Sequence, residues 1–470
     1  MALPFHCTSL VIWQNQTYMR RLISLLLCLL LAGPLQAGEV LNLPAPSELS
    51  GVKREMKTAG FWISRNPLPD QIIMKPVEIT KFNARTRGAG LIEDIAGFPA
   101  TYDGVKLKSE IAHVIDELKG RKLFQQDSSR IDESFYDSIA GNIALEFMPA
   151  TVDVRFGFIT RTADERVLPT MLALNAQPGD VDFDELQNSS LEIGTPVAVL
   201  YATQDGRWLL VHDTFASGWV EAERVALVPQ AELKAHLKHK TFAIVVAPKA
   251  DVYLDNKMTK HLAAVKMGTR FALKNSAGQV AEILLPERQA DGTAHIVSGF
   301  IAREDVSLGY LPYTIRAVYR QSFKMLHTPY GWGDMYGEQD CSRFLQMIFA
   351  SFGIDLPRNS ASQAKIGRSV AEFKPNLPMD KKIAAILTSS PGLTLLQMKG
   401  HIMLYLGEVN GQPFVIHDIW AYHEKGPDGK DRLRLLNRVT VSDLELGKGT
   451  EKKSLLERIV SVREIVPDKR

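Results

Sequence analysis

The chain has 470 residues, 45% of them hydrophobic and 23% charged, with a formal net charge of +2. At about 100–200 residues per domain that length calls for several cores rather than one, and the composition excludes a disordered or collagen-like chain. Residues 1–37 contain two basic and no acidic residues, so the rest carries 53 of each sign and offers no electrostatic case for nucleic acid as a partner.

Taken in chain order, Arg20 and Arg21 precede an apolar run at 22–32, and Leu35-Gln36-Ala37 supplies small residues for cleavage. Residues 1–37 are therefore expected to be a signal peptide, with Met19 as the better start because it places the basic pair directly at the front. The apolar run falls short of the roughly 20 residues that a membrane helix needs, and no later stretch comes close. The expectation is an exported protein of the periplasm or cell envelope with no stable membrane span. Cys7 and Cys28 fall in the leader, which leaves Cys341 as the one thiol, unable to form an internal disulfide. In an oxidising compartment such a thiol is either buried or used.

Residues 38–152 begin with a Pro-broken stretch and then show three- and four-residue apolar spacing over 111–123 and 131–143, which predicts a mostly helical domain. From about 153 to 235 the texture changes to short apolar runs, 197–201, 207–211 and 218–220, with a hairpin turn at Gln204-Asp205-Gly206. Residues 236–310 repeat that style, with strands expected at 242–246, 281–285 and 296–302. Two consecutive small β-barrels follow from this pattern. In 311–470, helices are expected at 315–326 and 342–352, and strands return after Pro391. A helix-then-sheet order marks an α+β domain, so the fold class is multidomain α+β.

Asp340-Cys341-Ser342 opens the second of these helices, with Phe344, Leu345, Ile348 and Phe352 on its apolar face and Asp340 at the N-cap position. A thiol in the first turn of a helix meets the positive end of the dipole, which favours thiolate, and the free N–H groups there suit an oxyanion. Such a nucleophile needs an imidazole base and a group to orient it. His401 opens one strand, His417 lies in another, and Asn410-Gly411 falls between them. A strict two-residue turn sets His401 opposite Trp420 and puts the imidazoles on opposite faces. A three-residue loop, Val409-Asn410-Gly411, sets Met403 opposite His417 and brings the imidazoles to one face as diagonal neighbours, about 7–8 Å apart at the backbone. Asp418 is the alternative acceptor in a different register. His113, His327 and His423 lack the strand pairing and read as structural or surface residues. Cys341, His401 and His417 lack close metal-ligand spacing, so neither a metal nor a cofactor is expected.

Tyr330-Gly331-Trp332-Gly333, Asp340-Cys341-Ser342, Leu356-Pro357-Arg358-Asn359-Ser360, Gly400-His401 and Ile416-His417 together resemble the NlpC/P60 cysteine peptidases over about 160 residues. Arg343 departs from that pattern, which commonly has Gly there, and is expected to bear on the substrate pocket. Arg161 to Thr170, Asp205-Gly206-Arg207-Trp208 and Gly218-Trp219-Val220 resemble the first of two bacterial SH3-like modules. Phe61-Trp62-Ile63 and Phe82-Asn83-Ala84-Arg85 resemble the N-terminal stabilising domain of the same proteins. The resemblance implies a papain-like catalytic domain that cleaves the amide between γ-D-glutamate and a diamino acid such as meso-diaminopimelate. The substrates are peptidoglycan stem peptides or murein fragments with a free L-alanine amine. Cys341, His401 and His417 are then catalytic. Asp340 contacts the amine or serves only as a helix cap, Ser342 and Ser360 bind the glutamate carboxylate, and Tyr330 lines the cleft. The competing expectations are a non-catalytic wall-binding protein and an amidase or acyltransferase acting on another wall bond.

Overall fold

The computed structural model describes residues 49–375 and 377–467, so the expected leader lies outside the described residues. Three large antiparallel sheets organise it, beside a two-stranded pair of Thr101–Asp103 and Thr151–Asp153. The first has seven strands: Gln187–Leu191, Ala163–Arg166, Ser217–Glu221, Trp208–His212, Pro196–Ala202, Arg155–Ile159 and Val225–Val228, in that spatial order. The second, also seven-stranded, runs between Phe242 and Leu308. It includes Lys249–Tyr253, a short strand that buries only Ala250 and Val252, and His261–Lys266 and Arg270–Ala277, whose residues are largely half-exposed or exposed and show no alternating apolar signal. These two sheets form the first and second β modules. The third sheet has six strands in the order Arg368–Glu372, Ile459–Glu464, Thr394–Met398, His401–Val409, Gln412–Lys425 and Asp431–Asp443. No helix among the described residues is long and apolar enough to cross a membrane.

The helices begin and end where capping chemistry places them. The helix expected at 111–123 spans Gly104–Lys119, because the Asp103 carboxylate accepts the Lys106 N–H at its start and Gly120 ends it. Its buried residues Leu107, Ile111, Val114, Ile115 and Leu118 recur at helical spacing and form one apolar stripe. The helix expected at 131–143 starts at Glu133, with Asp132 as its cap.

The segment expected to be one mostly helical domain, 38–152, divides its buried side chains between two cores. Met56, Trp62, Met74, Ile79 and Phe82 pack into the core of the six-stranded sheet, whereas Leu107, Ile111, Ile115, Tyr136 and Ile143 pack into that of the first module. The Trp62 ring lies 5.8 Å from Phe414, and its indole N–H donates to Met56 O at 2.8 Å. Asn83 donates to Gly353 O at 2.8 Å and accepts the Asp355 N–H at 3.1 Å. Both bonds are buried or partly buried, so the first helices belong physically to the C-terminal core.

Candidate active site

The helix Cys341–Ala350 packs on the strand His401–Val409 and buries Phe344, Leu345, Ile348 and Phe349. Asp340 caps it: one carboxylate oxygen accepts the N–H groups of Ser342 at 3.0 Å and Arg343 at 2.9 Å, and also the Ser342 hydroxyl at 2.8 Å. This corrects the expectation that the first-turn amides jointly await an oxyanion. Two are taken by the cap, which leaves the Cys341 N–H. Arg358 clamps the same carboxylate through two bonds, 2.8 and 3.1 Å, and reaches the Ser342 hydroxyl at 3.1 Å. The Asp340 charge is thus already paired within the protein.

The Cys341 side chain is buried, and the Ile402 N–H points at its sulfur. Burial pushes the thiol well up from its ordinary pKa and Asp340 adds to this, against smaller opposing effects from the Ile402 N–H and Arg358. Desolvation outweighs the preference for thiolate expected from the helix start. Burial likewise drives His401 well below the usual imidazole range, with His417 and Arg458 contributing, and lowers His417 to about 3.

The two imidazoles share a face of the sheet, although the turn between their strands is not the three-residue loop that seemed to require. Val409 pairs with Gln412 across a two-residue turn in which Asn410 and Gly411 have φ of 55° and 78°. A bulge between Tyr405 and Gly407 then shifts the register, so that Leu404 faces Ile416. The shift restores the diagonal relation, and His401 Nε2 lies 2.8 Å from His417 Nδ1. Asp418 points elsewhere and accepts from Gln339 at 2.8 Å.

A fourth group fixes the protons. His417 Nε2 lies 3.1 Å from Ser442 Oγ, and the Ser442 hydroxyl donates its one proton to Asp443 O at 2.7 Å. Ser442 Oγ can then only accept, so His417 carries its proton on Nε2 and presents a lone pair at Nδ1. In that arrangement His401 donates through Nε2–H, and its Nδ1 is unprotonated. Nothing near residue 442 in the sequence signals this. Ser442 is brought in by the pairing of Asp431–Asp443 with Gln412–Lys425.

Two cavities adjoin beside these residues. One, of about 120 Å³, is lined by Cys341, Asp340, Ser342, Arg358 and Ser360, and by Gln187, Asn188, Ser217 and Trp219 of the first module. The other, of about 160 Å³, is lined by His401, Trp420 and His423. Tyr330, Trp332 and Gly400 line both. All seven residues expected at the site therefore gather here, with His417 beneath His401. His423, read from the sequence as structural or surface, instead lines the second cavity. Arg343 lines neither cavity. Its guanidinium bonds to Gln346 and lies 3.5 Å from Asp334 in a buried ionic cluster that also includes Arg358, Lys266 and Glu192.

The Tyr-Gly-Trp-Gly stretch has a packing reason. Gly333 has φ of 56°, and a Cβ there would sit 2.7 Å from Gln187 O, so a side chain would push the first module away. Gln187 donates to Gly333 O at 3.1 Å, while Ser189 and the Ser190 N–H each donate to Asp334 at 3.2 Å.

Residues 327–421 match the family model described as NlpC/P60 family, and residues 173–221 match the one described as SH3 domain (SH3b1 type). The chain carries an NlpC/P60 domain. Among solved structures, an NlpC/P60 endopeptidase from Photobacterium damselae subsp. piscicida is similar over 87% of this chain and 98% of its own, with a TM-score of 0.71 and 19% identity. That likeness establishes a shared fold. An NlpC/P60 family protein from Bacillus cereus ATCC 10987 aligns over 66% of this chain and all of its own, with a TM-score of 0.47 and 19% identity. NlpC2 from Trichomonas vaginalis aligns over 67% and 98%, with a TM-score of 0.26 and 15% identity. No curated protein sequence matches the chain. Residues of the NlpC/P60 domain and of the SH3 domain thus both line the first cavity.

Proposed function

We propose that the protein is an exported cysteine endopeptidase of the cell envelope that hydrolyses the γ-D-glutamyl–diamino acid amide of peptidoglycan stem peptides. The observation that carries this reading is the hydrogen-bonded chain His401–His417–Ser442, with Cys341 and His401 lining cavities that meet at Tyr330, Trp332 and Gly400. The acyl half of the substrate occupies the first cavity, and the leaving half occupies the second.

Cys341 attacks the isopeptide carbonyl as its proton passes to His401 Nδ1, forming the C–S bond. The Cys341 N–H holds the oxyanion. His401 then protonates the departing amine as the C–N bond breaks, and later takes a proton from the water that hydrolyses the thioester. His417 and Ser442 act through His401 and are positioning residues.

In the first cavity Ser360 meets the glutamate carboxylate, Ser342, whose hydroxyl proton is given to Asp340, lines the wall beside it, and Tyr330 packs along the chain. Asp340 is the helix cap, and its pairing with Arg358 limits what it offers to an amine. The attraction for a free amino terminus then falls to buried carboxyls behind the wall, Glu165 and Asp213 among them. Burial holds Glu165 well above the usual carboxylate range and Asp213 at about 6, and Glu165 Oε1 has no hydrogen-bond partner among the described residues. Groups in that state gain from a nearby cation.

Incubation of the protein with L-Ala-γ-D-Glu-diaminopimelate, followed by mass spectrometry, tests the assignment. Hydrolysis at the γ-glutamyl bond is expected, with loss of turnover in Cys341→Ala and for an N-acetylated peptide. Undiminished turnover by Cys341→Ala would sink the reading. Fragments of other masses would point to a different wall bond.

A further inference from the structure

Arg343 follows Ser342 on the helix that carries Cys341, yet it lines neither cavity. Its guanidinium lies where residues of three domains meet. Asp334 accepts there from Ser189 and from the Ser190 N–H of the first module. Lys266 of the second module donates to Ser190 Oγ at 3.0 Å and lies 3.8 Å from both Asp334 and Glu192. Arg343 joins the group 3.5 Å from Asp334 and also bonds to Gln346, whose amide donates to Leu356 O at 2.9 Å. The group holds more carboxyls than cations: Asp334, Asp340, Glu192, Glu165 and Asp213 are all buried, and Lys266, Arg343 and Arg358 act on them. Arg358 is committed to Asp340 by two bonds, and Glu185, a further acid in the wall, is matched by Arg121 at 2.9 Å.

We infer that Arg343 is a specificity-determining residue that acts through Asp213: from behind the wall it supplies the counter-charge with which the first cavity takes a substrate bearing a cationic amino terminus. The inference rests on the peptidase reading above for which half of the substrate lies here. Glu165 and Asp213 hold the wall itself. Glu165 accepts from the Asn188 amide at 2.8 Å, and Asp213 Oδ1 accepts the N–H groups of Phe215 and Ala216; Asn188, Phe215 and Ala216 all line the cavity. A carboxyl so deeply buried stays charged only with help. For Asp213 that help comes first from the two N–H groups, then from Arg343, then from Arg358, whereas Glu165 has Arg358 and Asn188 set against the charges of Asp213 and Asp334. The charge of Arg343 also favours ionised Glu192 and Asp334. A glycine, common at this position in the family pattern, brings no such charge.

The test uses the full chain carrying Cys341→Ala, with binding of L-Ala-γ-D-Glu-meso-diaminopimelate and of its N-acetylated form followed by calorimetry from about pH 5 to 7.5, a range in which the free amine stays largely protonated. Affinity for the free-amine peptide should fall on the acid side with its midpoint at about 6, where Asp213 takes up its proton; the N-acetylated peptide should show no such fall. Arg343→Gln should move that midpoint up by about one pH unit, which lowers affinity roughly threefold at pH 6.5 and little at pH 7.5. Arg343→Lys should restore it. Asp213→Asn, which keeps an oxygen for the two N–H groups, should abolish the acid limb, and this arm decides the matter if Arg343→Gln does not fold. A midpoint that Arg343→Gln leaves in place, a loss equal at every pH and for both peptides, or an acid limb that survives Asp213→Asn overturns the inference. The expected binding without any hydrolysis by the wild type leaves the inference standing and overturns the peptidase reading alone.

Discussion

Ser442→Ala is the substitution that most directly tests the proton arrangement. It removes one hydroxyl from a buried, nearly isosteric position, so the sheet is expected to hold. Two effects follow for catalysis. In the wild type, the tautomer with the His417 proton on Nε2 is preferred because the alternative forces the Ser442 hydroxyl off Asp443 O. That bond is worth about 1 kcal/mol net, or roughly five to one. Alanine erases the preference, which by itself lowers the competent population less than about twofold. The larger effect arises as His401 becomes imidazolium. The charge polarises His417, and the acceptor at its far end contributes about another 1 kcal/mol that exists only in the transition state. Together these predict roughly a tenfold fall in kcat, at 1.36 kcal/mol per tenfold, with KM within about twofold. Steady-state kinetics on the γ-glutamyl tripeptide measure it. The acid limb of the pH profile should also move to lower pH, a shift that a merely structural role does not produce. A kcat within twofold of wild type, or a fall in kcat matched by a fall in Tm with no shift of the acid limb, refutes the relay.

Three further outcomes follow from the same geometry. His417 is fully buried, with a pKa lowered to about 3, so between roughly pH 6.5 and 3 the unfolded chain binds a proton that the folded one does not. The associated stability is complete above pH 6.5 and lost as pH falls towards 3. His417→Gln should therefore lose about 2 kcal/mol less stability than wild type between pH 8 and 5 in urea titrations; parallel losses contradict this. Because burial raises Cys341, alkylation by iodoacetamide at pH 7 should be slower than for free cysteine, and no thiolate absorbance relative to Cys341→Ala should appear below pH 8. A thiolate signal persisting to pH 5 refutes that. Gly333→Ala combines a left-handed backbone with a 2.7 Å approach to Gln187 O; it should cost at least about 2 kcal/mol in thermal or urea unfolding and lower kcat/KM by loosening the cavity wall. An unchanged Tm shows that the first module does not press on this loop.

The nucleophile helix was legible because its signals are local: apolar residues at helical spacing behind an Asp cap. The hairpin was half legible. The Asn410-Gly411 turn announces itself, but the bulge at Tyr405–Gly407 arises from pairing across the sheet, and only that pairing decides which face His401 occupies. Ser442 and the Arg358 clamp on Asp340 were not legible, since each depends on segments that meet only after packing. Arg343 was legible as a departure but not in its effect, because whether it lines the cleft depends on Asp334, whose position is set by the first module. The division of the N-terminal helices between two cores was hidden for a similar reason. Periodicity reports that a face is buried, not what buries it.

That division affects how the molecule is made. Asn83 bonds to Gly353 across 270 residues of chain, and Trp62 shares a core with strands that include Ile459–Glu464, close to the C-terminal end of the described chain. These helices must wait, with apolar surface uncovered, until the strand Ile459–Glu464 has followed. Such long-range closure is slow, and an unfinished chain exposes surface prone to aggregation. The strand Ile459–Glu464 also pairs with Thr394–Met398, the neighbour of the His401 strand, so the sheet that carries His401 is unfinished until the same segment arrives.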